Sequence, residues 1–147
     1  RGRPQNFLRE EKVAYVSDIF SAAMALMDEL SSTGQAQTQD TKEYENRTPA
    51  IVNQMVAEHH LLTGQGGGWA AAESLEDFAD VDNTYALGVM HYGLAAQLLV
   101  DENPSAANFY QQRYEEMRNI YINKQQSEIQ AIENLYGTDE MGRFARW

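Results

Sequence analysis

The sequence predicts an all-α helical bundle of about four main helices, with a long C-terminal helix, a long central loop and an extended C-terminal tail. Three observations carry this. Apolar residues recur at helical spacing in four separate stretches. No run of alternating β-branched residues is bounded by turn dipeptides, so little strand is expected. One cluster, Gly64-Gln-Gly-Gly-Gly68, divides the chain, because four glycines in five residues cannot form a stable helix or strand interior. A chain of 147 residues corresponds to one domain of ordinary size, whose core folds without a metal or disulfide.

The first helix is expected from near Leu8 to near Ser31. Val13, Val16, Phe20, Ala23, Met27 and Leu30 follow one another at steps of three and four, which makes one narrow apolar stripe. Ser31-Ser-Thr-Gly34 breaks it, and residues 35–39 are polar loop.

The second helix opens at Asp40-Thr-Lys-Glu43, a pattern similar to a capping box. Tyr44, Ile51, Met55 and Leu62 give its apolar face. Thr48-Pro49 interrupts the pattern, since proline removes a backbone donor and disfavours helix at the residue before it. Two solutions are open: a kink, or a break with Pro49 at the first position of a new helix. The break is preferred. Residues 63–83 read as a long loop with one short helix around Ser74 to Phe78, and loops of that length are functional or disordered.

The third helix is expected from Asn83 to Val100, capped by Asp82 or Asn83. Leu87, Met90 or His91, Leu94 and Leu98 form its core stripe, flanked by Ala86 and Gly93 on one side and Gly88 and Ala95 on the other. The turn Asp101-Glu-Asn-Pro104 ends it. The fourth helix starts at Ser105 and runs to Leu135, with Phe109, Tyr110, Tyr114, Met117, Ile120 and Tyr121 in its first half and Ile129, Ile132 and Leu135 in its second. Such a helix spans ~45 Å, long for this chain, so one end projects or packs on another subunit. Residues 1–136 thus make the helical domain and 137–147 a tail.

The charge is uneven. Overall it is -11, from 11 basic and 22 acidic residues. The ends are basic, through Arg1, Arg3, Arg9 and Lys12 and through Arg143 and Arg146. No Lys or Arg occurs from Thr48 to Gln112. An acidic body argues against a phosphate-neutralising groove, and basic ends suit either simple solubility or tails that reach a partner. No apolar run approaches the ~20 residues of a membrane span, and no apolar stretch follows the basic N-terminal residues. A soluble, non-secreted protein that makes no membrane contact is expected.

Zero cysteines exclude a disulfide framework, a thiolate metal site and a cysteine nucleophile. His59, His60 and His91 form no Glu-x-x-His pair, no Gly-x-Ser-x-Gly is present, and the glycine cluster lacks the lysine of a phosphate loop. Neither a catalytic residue, a metal site nor a cofactor is expected. Glu73, Glu76, Asp77, Asp80 and Asp82 lack the spacing and central glycine of a calcium loop. They read as a solvated acidic loop, with a surface that faces DNA without gripping it as the alternative. Arg143, Phe144, Arg146 and Trp147 are the residue types that dominate interface energetics, so the terminal peptide reads as a docking segment for another protein's groove.

Two stretches carry a resemblance. They are Thr41-Lys-Glu-Tyr-Glu-Asn-Arg-Thr-Pro-Ala-Ile-Val-Asn-Gln-Met55 and Tyr92-Gly-Leu-Ala-Ala-Gln-Leu-Leu-Val-Asp-Glu-Asn-Pro-Ser-Ala-Ala-Asn-Phe-Tyr-Gln-Gln-Arg-Tyr114. In hydrophobic and turn pattern, over roughly residues 7–136, the chain resembles the small helical head-to-tail connector (adaptor) proteins of tailed bacteriophages. The resemblance implies a structural virion protein at the capsid–tail junction, assembled in the host cytoplasm. It implies a homo-oligomeric ring, usually a dodecamer, below the portal protein. That ring extends the DNA channel and offers a surface to neck and tail completion proteins. By the same resemblance Arg143, Phe144, Arg146 and Trp147 would dock on the portal, and the loop with Glu73, Glu76, Asp77, Asp80 and Asp82 would line the channel or face the tail. Gly64–Gly68 departs from the family's pattern. The alternative is a small helical cytoplasmic regulator that binds a protein partner through its C-terminal tail. A small helical enzyme is the third reading, and it would need a pocket with convergent polar groups.

Overall fold

The computed structural model describes residues 13–135. They are mostly helical, with one small two-stranded sheet. The order is β1 (Val13–Tyr15), α1 (Val16–Leu26), α2 (Lys42–Thr63), β2 (Phe78–Asp82), α3 and α4 (Pro104–Leu135). Helix α3 is continuous but composite, with an α-turn at Asn83–Tyr85, a π-helical stretch at Ala86–Met90 and a regular helix at His91–Leu99.

The first helix begins later and ends earlier than its stripe predicts. Val13 belongs to β1, which pairs antiparallel with β2: Ala14 faces Ala79, and Tyr15 stacks on Phe78 at 4.5 Å. The expected loop of residues 63–83 therefore contains a strand, and the short helix around Ser74 to Phe78 is absent. In its place the Asp77 carboxylate accepts from the Glu73 and Ser74 amides at 2.7 and 3.1 Å. The same loop caps α1. Val16 N–H donates to the Asp77 carbonyl at 2.9 Å and Ser17 N–H to the Leu75 carbonyl at 2.8 Å, which satisfies two of the amides every helix start leaves free. At the other end Asp28 takes the left-handed conformation (φ 59°) and Glu29 N–H returns to the Met24 carbonyl at 2.8 Å. This Schellman-type stop ends the helix before Leu30, which is left exposed.

Helix α2 runs unbroken through Pro49, so the preferred break is overturned. Tyr44, Thr48, Val52, Met55, Val56 and His59 form one buried stripe across the proline, and burial on both sides outweighs the lost backbone bond. The Asp40 capping pattern is not used; Thr41 starts the helix and its buried hydroxyl donates to the Ala36 carbonyl at 2.6 Å. Gly64, at φ 73°, ends it.

Asp82 caps α3 as expected, accepting from the Tyr85 amide at 2.8 Å. The π-helical stretch adds a residue to the turn and shifts the stripe. Val89, Met90, Leu94 and Leu98 are buried, while Leu87, expected in the core, is 46% exposed. The Arg47 guanidinium donates to the Gln97 and Leu98 carbonyls at 3.2 and 3.5 Å, a basic group at the helix end that favours it. Asn103 then caps α4 through its side chain to the Ala106 amide, with Pro104 at the first helical position.

The core lies where α1, α3 and the first half of α4 meet α2. Phe20, Ile19, Met24, Tyr85, Met90 and Leu94 are its largest fully buried side chains. The 32 residues of α4 span ~48 Å. Ala107 and Tyr114 are buried in its first half, and Tyr110 donates to the Leu26 carbonyl at the end of α1 at 2.8 Å. From residue 126 onward every described residue of α4 is exposed, including Ile129, Ile132 and Leu135.

Candidate interaction surface and the polar cluster beneath it

A polar cluster fastens α4 to the body where the helix begins to project. Tyr114 donates its hydroxyl to Glu58 of α2. Arg118, one turn on, donates to the other oxygen of the same carboxylate at 2.9 Å, and its guanidinium lies 5.3 Å from the centre of the Tyr114 ring. Tyr121 follows, donating to Asp82 at 2.8 Å and accepting from Gln125 at 3.1 Å. The spacing 114, 118, 121 places these groups on one helix face. Between them and α2 lie the Tyr85 ring and His59, whose centroids are 4.2 Å apart. The Tyr85 hydroxyl, His59 Nδ1 and Arg118 Nε are buried without a hydrogen-bond partner.

Burial sets the protonation of the cluster. It pushes the Tyr85 hydroxyl up to about 12 and raises Tyr114 and Tyr121 further, with the carboxylates of Glu58 and Asp82 adding to the rise as acceptors for Tyr114 and Tyr121 respectively. Burial holds His59 below its ordinary value of 6.5; neighbouring His60 adds to this, and Asp82 and Asp80 oppose it. At neutral pH the three phenols are thus protonated and the His59 imidazole is neutral.

Above the cluster, a groove of ≈ 520 Å³ opens between the C-terminal end of α2, β2 and the projecting half of α4. Val13, Val81, Ile129 and Ile132 supply its apolar surface, Asp80, Asp82 and Glu128 its charge, and His59 and Tyr121 reach it from the cluster. Two further contacts tie β2 and the loop before it to α2. His60 Nε2 lies 3.0 Å from the Asp80 carbonyl and 3.2 Å from its carboxylate, and since both partners accept, Nε2 carries the proton. Asn53 exchanges two hydrogen bonds with Ala72, at 2.8 and 2.9 Å, tying the glycine loop to α2.

The five acidic residues singled out in the sequence are thus divided. Asp80 and Asp82 meet at the groove. Asp77 organises the turn at the start of α1, and Glu73 and Glu76 are exposed on the loop. Arg143, Phe144, Arg146 and Trp147 lie outside the described residues. The grouping of His59, Tyr85 and Tyr121 was not legible, because it joins three elements; the apolar spacing of Ile129 and Ile132 was. Among the described residues, no three His, Asp or Glu side chains group as metal ligands, and no helix is long and apolar enough to cross a membrane. Comparison with protein-family models, curated proteins and solved structures gave no match to the chain.

A pH dependence follows from the buried imidazoles. Burial lowers His91 as well as His59. The unfolded chain therefore takes up protons from about pH 6.5 downward while the folded chain resists, and their contribution to stability falls with pH below that point. We expect a lower urea midpoint at about pH 5.5 than at 7.5, and a smaller difference in the double variant His59→Gln/His91→Gln. An unchanged difference in that variant would reject the assignment.

Proposed function

We propose that this chain is a ring-forming structural protein, a head-to-tail connector of the kind found at the neck of tailed bacteriophages, built as a predominantly α-helical bundle. The observation that carries the reading is the outer half of α4. It leaves the body with Ile129, Ile132 and Leu135 exposed along one face, and apolar side chains at that spacing on an unsupported helix call for a covering surface. A neighbouring copy in a closed head-to-tail ring supplies one. The sequence pattern of residues 41–55 and 92–114 supports the same reading.

In this reading helical faces make the ring, and Arg143, Phe144, Arg146 and Trp147 anchor it to the portal. The exposed Glu73 and Glu76 are channel- or tail-facing, and the acidic body lets a duplex pass, since like charges repel over ~8 Å in physiological salt. Neck and tail completion proteins bind the far side.

Electron microscopy of the chain mixed with the portal from the same genome tests this. Ring density stacked below the portal is expected, and Ile129→Glu/Ile132→Glu should abolish it while leaving the helical circular dichroism unchanged. A chain that neither binds the portal nor occurs in virions would reject the connector reading and favour a soluble regulator.

A further inference from the structure

We propose that before assembly the segment Arg143-Phe-Ala-Arg-Trp147 of the same chain occupies the groove between the outer half of α4 and the two strands, so that it covers Ile129 and Ile132 until it is drawn to its assembly partner. This rests on the reading of residues 143–147 as a docking segment.

Complementarity carries the inference. The groove offers three carboxylates, Asp80, Asp82 and Glu128, beside four aliphatic side chains, and no Lys or Arg is among its described lining residues. Residues 48–112, which supply its α2 and β2 walls, contain none. Residues 143–147 offer the inverse: two arginines, two aromatic side chains and no acid. Arginine pairs with carboxylates through a rigid fork of donors and stacks on aromatic rings such as that of Tyr121. His59, 4% exposed, also lines the groove, and its Nδ1 is buried without a hydrogen bond. The N-terminal basic residues fit less well, since Glu10 and Glu11 lie between Arg9 and Lys12.

The tether permits the contact. Seven residues lie between Leu135 and Arg143, and the eight Cα steps reach up to ~26 Å, whereas the groove's helix wall at Glu128 lies only ~10 Å back along α4. A tether of this length gives an effective concentration in the millimolar range, so a weak contact is formed within one chain and still yields to a tighter partner.

The absence of cysteine makes the test direct. A nitroxide on Gly142→Cys, in dilute full-length chain, is expected to broaden the methyl resonances of Val13 and Val81 on the strand wall as well as Ile129 and Ile132. Adding Arg143→Glu/Arg146→Glu keeps the tether and should restore the Val13 and Val81 intensities several-fold. Unbroadened strand methyls, or broadening indifferent to charge reversal, would overturn the inference. So would broadening that requires mixing spin-labelled with isotope-labelled copies, which would assign the groove to a second copy. Portal binding of the charge-reversed chain is scored separately. Its loss, when the parent chain shows no groove broadening, keeps the docking segment and removes the groove contact. Its persistence, when the parent chain shows broadening that charge reversal removes, keeps the groove contact and removes the docking reading.

Discussion

Replacing Gly93 by valine is expected to lower folding stability by about 3 kcal/mol, seen as a drop of roughly 10 °C in the thermal midpoint for a domain of this size. Gly93 sits in α3 against α4, and the cause is contact, not backbone conformation; its φ is not among the positive ones. A Cβ built there would lie 2.7 Å from Met55 Sδ and 2.8 and 2.9 Å from two ring carbons of Tyr114. Methionine can yield, being unbranched and flexible. Tyr114 cannot yield cheaply, because its hydroxyl is bound to Glu58 and its ring carries Arg118. Alanine at the same position gains up to ~1 kcal/mol of helix propensity, so Gly93→Ala should cost less than Gly93→Val, and the difference measures the overpacking. Stabilities of both variants within ~0.5 kcal/mol of the parent would mean that α3 and α4 separate without loss, and that the packing described between them does not hold the fold.

The sequence made α3, α4 and their punctuation legible because each signal is local. Asp82 as cap and the Gly64 stop act within one turn of their own position, and the fourth helix starts at Pro104, one residue before the Ser105 expected. What escaped was set from a distance. Val13 fits the helical spacing of Val16 and Phe20 as well as it fits a strand; its strand conformation is decided by pairing with Asp82, far along the chain. Pro49 breaks helices by a local rule, but a buried stripe from Tyr44 to His59 overrides it. The π-helical residues turned Leu87 outward, and no periodicity in a single sequence announces an added residue. The groove shows the same division. Ile129 and Ile132 were visible as an apolar repeat, and Asp80 and Asp82 as acids. Their meeting required the β1–β2 pair, which the sequence reading did not contain.

Truncating Glu58 to alanine is expected to cost about 2 kcal/mol, and to do so through what it leaves behind. Removing one partner of a fully buried ion pair costs ~3–5 kcal/mol. Here the Glu58 side chain is 38% exposed and that of Arg118 20%, so water recovers part of that. Two groups lose their partner at once: the Arg118 guanidinium, whose Nε already has none, and the Tyr114 hydroxyl, which is then buried unpaired. Tyr114→Phe isolates the second of these. It removes the donor and leaves Glu58 with Arg118, so a loss of ~1 kcal/mol is expected. In the double variant the two effects should not add, because both variants break the same hydrogen bond. A urea-unfolding cycle checks this. Additive losses would show that Glu58 and Tyr114 act separately. Coupled losses also bear on assembly, since Tyr114, Arg118 and Tyr121 are the last turns of α4 held by the body before the helix projects. Loosening them changes where Ile129 and Ile132 point. If the chain forms the ring proposed above, Glu58→Ala should therefore weaken it under conditions where the chain remains folded, whereas Tyr114→Phe, which keeps the Glu58–Arg118 pair, should weaken it less.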